Sequence, residues 1–321
     1  MSRKSRTYSL VFGQPLKLTD DFFLQPLLRG SYNTIDVGSY YNENDPNAYL
    51  IDQHEISFRI TKSDKGINGA EIVVKNLSEK TKNYLLTNRG NHLTVALKVG
   101  YDGENKLLFQ GLMSDCAIMR NGENDDTRLL LEDGKINVEK AFTSRVYPVG
   151  TKLSTIVTDL ILDQATPVGY VDELPSTIVT KTSYNVFGES NKLLQRILSG
   201  YDYSSTINDG KMYILPLKSR LAETVAYISP DTGLIGSVTG LTTKDKTVNA
   251  TDLNLSNLPR IRFTCQIDAT ISPMSSVFVK DPSSGVKGAY RVEKALFRCS
   301  SFETGSFEVV VDAIQIDATV V

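Results

Sequence analysis

Alternation of apolar and polar residues recurs through this chain, and no other feature narrows its fold as much. In residues 55–60, Ile56, Phe58 and Ile60 share a face; in 69–74, Ala70, Ile72 and Val74 do; Leu93, Val95, Leu97 and Val99 repeat the pattern. Successive side chains of an extended strand point to opposite faces, so period two marks half-buried strands. Asp102-Gly103 and Asp133-Gly134 stand between such runs. Asx-Gly supplies the positive φ that two-residue hairpin turns require. With a further strand at 127–131, the first part of the chain reads as an antiparallel β unit, a sandwich or a barrel. One short helix interrupts it. Ser78 is its expected N-cap, Leu77 packs before it, Glu79 meets the helix dipole, Tyr84 and Leu85 turn inward and Gly90 lies beyond its end.

From about Val146 the period changes. Leu153, Ile156, Val157, Leu160 and Ile161 follow helical spacing over 152–162 with Thr151 as the expected cap. Ser190 is the expected cap of a second helix that buries Leu193, Leu194, Ile197 and Leu198 and ends at Gly200. Two strands at 201–207 and 211–215, joined by Asn208-Asp209-Gly210, complete a small α/β piece. Beyond Val225 the chain returns to strands, at 225–228, 261–267, 276–279, 288–293 and 306–313, with 242–258 as a polar loop. In the last strand Phe307, Val309, Val311 and Ala313 face one way. No repeat of 20–50 residues is visible.

Composition sets the outer bounds. The chain has 321 residues, which at roughly 100–200 per domain suggests two or three. With 40% hydrophobic and 22% charged residues it can build a core. The 35 basic and 37 acidic residues leave a net charge of −2, so charge alone gives no grip on nucleic acid or an anionic membrane. Cys116, Cys265 and Cys299 stand far apart, unlike a disulfide scaffold. No stretch approaches the ~20 apolar residues of a membrane-spanning helix. The basic start MSRKSR (1–6) lacks a following apolar region, unlike a secretory signal. A soluble chain made in a reducing compartment is expected.

The sequence carries no recognisable catalytic or ligand-binding centre. His54 and His92 stand alone, and no cysteine spacing suits zinc, so ordinary structural roles are expected of all five residues. The oxygen-rich NENDPN (42–47) and NGENDD (121–126) fail the calcium-loop pattern and read as solvated turns. TGLIGSVTG (232–240) lacks the helix and lysine of a phosphate cradle and reads as a bent strand or a turn, GVKG (285–288) misses the P-loop spacing, and GSVTG (236–240) is no serine-hydrolase elbow. No carboxylate pair is singled out for glycoside cleavage. No catalytic, cofactor-binding or metal-binding residue is assigned, no cofactor is expected, and the chain is read as a non-enzyme.

One set of motifs, taken in order, carries a resemblance. NGAEIVVKNLS (68–78) opens it, followed by VALKVGYDG (95–103), LFQGL (108–112) and TRLLLEDG (127–134). Then come GTKL (150–153), DGKMYILP (209–216), ISPDTGLIGS (228–237) and GAYRVEKA (288–295). Over about residues 55–315 the chain resembles the baseplate hub proteins of contractile-tailed bacteriophages, a group that includes late-control D-type proteins and the hub part of type VI secretion spikes. It departs from them at LFRCSSFETGSF (296–307), which has neither the His nor the Trp frequent in relatives, and in a reduced proline turn at ISPMSS (271–276).

The resemblance implies a mainly β chain with a smaller α/β part: two tail-tube-like antiparallel β-barrels plus a small α/β domain. The implied units are 1–145, an N-terminal tube-like barrel; 146–224, the α/β domain; and 225–321, a second barrel completed in part by segments from elsewhere in the chain. It implies a structural homotrimer that joins a sixfold tail tube to a threefold central spike and lines the DNA channel. The implied partners are the tail tube or its initiator, the spike, baseplate wedge proteins and the tape measure protein, with DNA only passing through and no membrane insertion. The place is the virion tail baseplate, after assembly in the host cytoplasm. Any wall-cutting enzyme or needle would be another chain. Tyr40, Tyr41, Tyr147 and Tyr170 are candidate interface anchors or, equally, packing residues of their own domain. Two other readings stay open, a tube-like or glycan-binding tail-tip component and a two-carboxylate cell-wall glycosidase.

Overall fold

The computed structural model describes residues 5–15, 49–91, 93–174, 182–221, 224–241, 258–302, 304–316 and 318–320. The chain opens with β1 (Arg6–Pro15), β2 (Tyr49–Ile51), β3 (Ile56–Ser63) and β4 (Asn68–Lys75). Helix α1 (Glu79–Thr87) leads into β5 (Leu93–Tyr101), β6 (Glu104–Asn121) and β7 (Asn124–Asp133). The α/β unit follows as α2 (Lys135–Lys140), β8 (Phe142–Tyr147), α3 (Leu153–Asp163), β9 (Val168–Val171), β10 (Tyr184–Glu189), α4 (Ser190–Ser199), β11 (Tyr203–Asn208) and β12 (Lys211–Pro216). The remaining strands are β13 (Ser219–Leu221), β14 (Thr224–Ile228), β15 (Leu234–Leu241), β16 (Arg260–Gln266), β17 (Ser276–Asp281), β18 (Val286–Cys299), β19 (Phe307–Gln315) and β20 (Ala318–Val320).

The mainly β character with a smaller α/β part is present, but the two closed barrels are not. Among the described residues, thirteen strands form one sheet with the path β15-β16-β19-β18-β3-β4-β7-β6-β5-β1-β2, and β17 branches from β18 to carry β14. Its two ends do not pair. The physical reason lies at β3. A closed first barrel would need the outer edge of β3 for its own last strand. That edge instead pairs with β18, from Lys294 opposite Ser63 to Cys299 opposite Phe58. The two β regions are therefore joined edge to edge into one open sheet.

The first half of the sheet curls strongly, and side chains rather than a ladder bring its far strands back. Arg6 at the start of β1 donates to the carbonyls of Phe302 and Gly305 at 3.2 and 2.9 Å. Its guanidinium lies 5.0 Å from the centre of the Phe307 ring. Tyr8 meets Phe302 edge-on at 4.7 Å, and Tyr101 meets Phe307 at 5.6 Å. One apolar core runs through both β regions, from Leu10, Phe12 and Phe109 to Phe263, Phe297 and Val311. Each such side chain contributes roughly 1.5–3 kcal/mol on burial.

The alternation read from the sequence is visible in burial. Ile56, Phe58, Ile60, Ala70, Ile72 and Val74 all face this core, and β19 buries Phe307, Val309, Val311 and Ala313. Strand β5 departs from strict alternation, because Thr94 and Ala96 are buried as well. The turn Asp102-Gly103 has both residues at positive φ, as a two-residue hairpin demands. Gly100 has a further reason to be glycine, since a Cβ there would lie 1.9 Å from the Glu104 carbonyl oxygen. In β15 the register breaks between Ile235 and Thr239 around Gly236 at φ 72°, so of the bent strand and the turn expected here the bent strand is found.

Helix ends follow the sequence in part. Ser78 caps α1, accepting from the Thr81 amide at 3.2 Å, and Leu85 is fully buried. Helix α3 starts one residue later than expected, with Lys152 in the cap position and Thr151 Oγ1 donating to the Pro148 carbonyl. Ser190 is the first residue of α4 rather than its cap. Its side chain is buried, with its Oγ 2.7 Å from Thr143 Oγ1. Asp133-Gly134 forms no hairpin turn either, because Gly134 at φ 70° opens α2. The α/β unit has its own core, built on Leu153, Ile156, Leu160, Leu194 and Leu198 against Met212 and Ile214.

Candidate functional site at the seam of sheet and α/β unit

The residues weighed from sequence scatter rather than converge. His54 lies against the Lys75 carbonyl, with Nδ1 at 3.1 Å. His92, Tyr40, Tyr41, NENDPN (42–47) and nearly all of the polar loop at 242–258 lie outside the described residues. The three cysteines are buried and unbridged, and burial pushes the Cys116 thiol up to about 11 and those of Cys265 and Cys299 to about 12. NGENDD (121–126) is the tight β6–β7 turn, where Asn121 Nδ2 donates to Asp126 and Lys82 binds Asp125 at 2.6 Å. Tyr147 is buried in the α/β core with its hydroxyl on Asp159, and Tyr170 bonds Asp172 two residues away. Among the described residues, no group of three or more His, Cys, Asp or Glu could hold a metal ion.

What does converge is a set of buried polar groups between the sheet and the α/β unit. The hairpin β11–β12 turns through Asp209 and Gly210, both at positive φ, and its tip enters the end of the sheet. Lys62 of β3, 1% exposed, binds Asp209 Oδ2 at 2.6 Å, and the Gln110 amide of β6 donates to Asp209 Oδ1 at 3.2 Å. Asn68 donates to the Ile207 carbonyl at 2.9 Å, and Thr206 Oγ1 donates to the Ser63 carbonyl at 3.1 Å. Ile207 also packs so closely on Gly134 that a Cβ there would meet its side chain at 2.7 Å.

Asp133 ends β7 at the same point. Its Oδ1 accepts from the Gly210 amide at 2.8 Å and the Asp209 backbone adds a weaker contact, while its buried Oδ2 makes no hydrogen bond within 3.5 Å among the described residues. Burial, then the neighbouring Asp209 charge, pushes its carboxyl up to about 7. The same two carboxylates, after burial, push the Tyr213 phenol up. At the other end of the seam, Arg291 of β18 is 2% exposed. Its Nη1 donates to the carbonyls of Pro216, Leu217 and Ser219 at 3.3, 3.0 and 3.0 Å. Its Nη2 reaches Ser204 Oγ at 3.2 Å and Asp64 at 3.5 Å. Burial outweighs the arginine's charge at Asp64 and lifts that carboxyl to about 6. These groups aim at backbone and at one another across the seam. Chemically, the arrangement fixes the orientation of one body on another.

Two further features lie on the surface of the described residues. A cleft of about 450 Å³ lies between the β5–β6 hairpin and the second β region, lined in part by Tyr101, Lys106, Tyr227, Gln266 and Asp268. The ribbon β8–β10 shows an apolar outer face, with Phe142 and Phe187 in edge contact at 4.8 Å and Val146 and Val149 exposed.

Compared by sequence, the chain matches no family model and no curated protein. Compared by fold, it is similar to several solved structures. The tail protein from Neisseria meningitidis MC58 aligns with a TM-score of 0.58 at 11% identity, covering 85% of this chain and 97% of that one. The 43 kDa tail protein of prophage MuSo2 from Shewanella oneidensis gives 0.57 at 11% identity, with the same shares of 85% and 97%. The c3393 protein of E. coli gives 0.57 at 10% identity, covering 82% of this chain and 74% of that one. That protein is described as a component of the type VI secretion system with structural similarity to the T4 bacteriophage tail proteins gp27 and gp5. At such identities the likeness is one of fold.

Proposed function

We propose that this chain is a structural component of a contractile phage tail, the hub of its baseplate. The observation that carries the reading is the extent of the fold likeness. It takes in 85% of this chain and 97% of two proteins described as tail proteins, so the shared part is a whole architecture and not one motif. The molecule's own chemistry supports the same reading. Its converging polar groups hold one body against another, and the sequence offers no motif for catalysis.

In this reading three copies form a ring that joins the sixfold tube above to the threefold spike below, with the genome passing through the lumen. The units are 1–145, 146–224 and 225–321, with the first and third sharing one sheet. The neighbours are the tail tube or its initiator, the central spike, wedge proteins and the tape measure protein. The place is the virion baseplate, reached after assembly in the host cytoplasm. Electron microscopy of the purified chain with its spike and tube proteins tests this directly. Three copies around an axis are expected. A stable monomer that binds neither protein, or clearing of a peptidoglycan zymogram by the chain alone, overturns it.

A further inference from the structure

We propose that the seam between sheet and α/β unit is a proton-held latch: Asp133 carries a proton while the β11–β12 hairpin is docked, and loss of that proton frees the hairpin from the sheet. Three ionisable groups meet at the hairpin tip: Lys62 from β3, Asp209 from the turn and Asp133 from the end of β7. Tyr213 of β12 is the further titratable group that feels both carboxylates. If both acids are ionised, one ammonium faces two carboxylates in a buried place. Lys62 is spent on Asp209 at 2.6 Å. An ionised Asp133 would then be held by backbone amides of the turn, Gly210 at 2.8 Å from Oδ1 and more weakly Asp209, with Oδ2 buried and no side-chain cation of its own among the described residues. A buried charge without full hydrogen bonding costs several kcal/mol and is commonly relieved by taking up a proton. One proton on Oδ2 neutralises the cluster and leaves Oδ1 free to accept from Gly210.

Once the hairpin leaves, Asp133 is solvated and returns to the ordinary range for an aspartate, so the docked form binds the proton more tightly than the open one. Docking is then strongest below the ordinary value, weakens as pH rises toward about 7 and is level beyond it. Asp64, lifted to about 6 beside Arg291, adds to the lower part of that range. This inference does not depend on the tail assignment.

Hydrogen exchange of the full chain, read by mass spectrometry, tests the latch. Peptides over Tyr203–Pro216 are compared with peptides over β4 and β7 in the sheet, after correction for the intrinsic pH dependence of exchange. The opening constant of the hairpin is expected to rise by up to about tenfold per unit between about pH 5 and pH 7 and then to level, while the sheet stays flat. Asp133→Asn keeps the Oδ1 acceptor without the charge, and is expected to abolish the rise above about pH 6. A hairpin that tracks the sheet at every pH in the unaltered protein overturns the latch. A rise that persists in Asp133→Asn but vanishes in Asp64→Asn overturns its assignment to Asp133.

Discussion

The thirteen-stranded sheet and the α/β unit are each built on apolar side chains, yet the junctions around them are of opposite kinds. Where β3 meets β18, the two β regions share one ladder and one core, with Phe297 opposite Ile60 and both fully buried. Where the α/β unit meets the sheet, the contacts described at the hairpin tip and around Arg291 are charged and polar. At the first junction a continuous ladder and a shared apolar core make the two β regions one folding body. Hydrogen bonds and buried charges are directional, and leaving one unmade is costly, so they specify one arrangement while adding little net stability. The first junction therefore belongs to folding, and the second to orientation.

Substitutions at the two junctions can break that contrast or sharpen it. Phe297→Ala empties a site at the ladder joint and is expected to lower stability by about 4 kcal/mol in denaturant unfolding. The probes of both β regions should shift together. Separate transitions would show that the joint is no shared core. Arg291→Met removes the donor that binds three carbonyls and Asp64, at a cost of about 3 kcal/mol for a broken buried pair. Here far-ultraviolet circular dichroism should stay close to native while proteolysis at the β12–β13 connection speeds up. A protein that melts as a whole would place this seam with the ladder joint. Ser78→Ala removes the α1 cap, a polar contact exposed on the sheet body, and should cost about 1 kcal/mol in thermal unfolding. Arg128→Ala breaks the half-exposed pair with Glu71 and should change stability by less than about 0.5 kcal/mol. If either of these last two matched Arg291→Met, polarity rather than burial would be what distinguishes the seam.

The same contrast separates what was legible in the sequence from what was not. Strands with one buried face announce themselves, as Ile56, Phe58 and Ile60 do, because burial on one side leaves a period-two trace. The helix stripe from Leu153 to Ile161 is legible for the equivalent reason. Strand β1 gave no such signal, since it buries Val11 between Leu10 and Phe12 and so loses its alternation. The pairing of β3 with β18 left no local trace, because register between distant strands is decided by edges rather than by either sequence alone. The two closed barrels are an implication of the family resemblance, and this pairing is what replaces them with one open sheet. The seam was missed for a different reason. Asp133-Gly134 and Asp209-Gly210 look alike as turns, and only the fold shows that the first is a buried acceptor for the second. Lys62 lies beyond the stretch 55–60 read as a strand, in the part of β3 that only the fold reveals, and its 1% exposure is invisible in sequence.

The long reach of the β3–β18 pairing also governs how the molecule comes into being. Ile56 and Cys299 meet although they are 243 positions apart. Pairings of such high contact order form slowly, because chain closure must precede any gain from the contact. On the ribosome, the outer edge of β3 has no partner until most of the polypeptide has emerged. During that interval it is an open template for any other nascent strand, including the same segment of a sister chain.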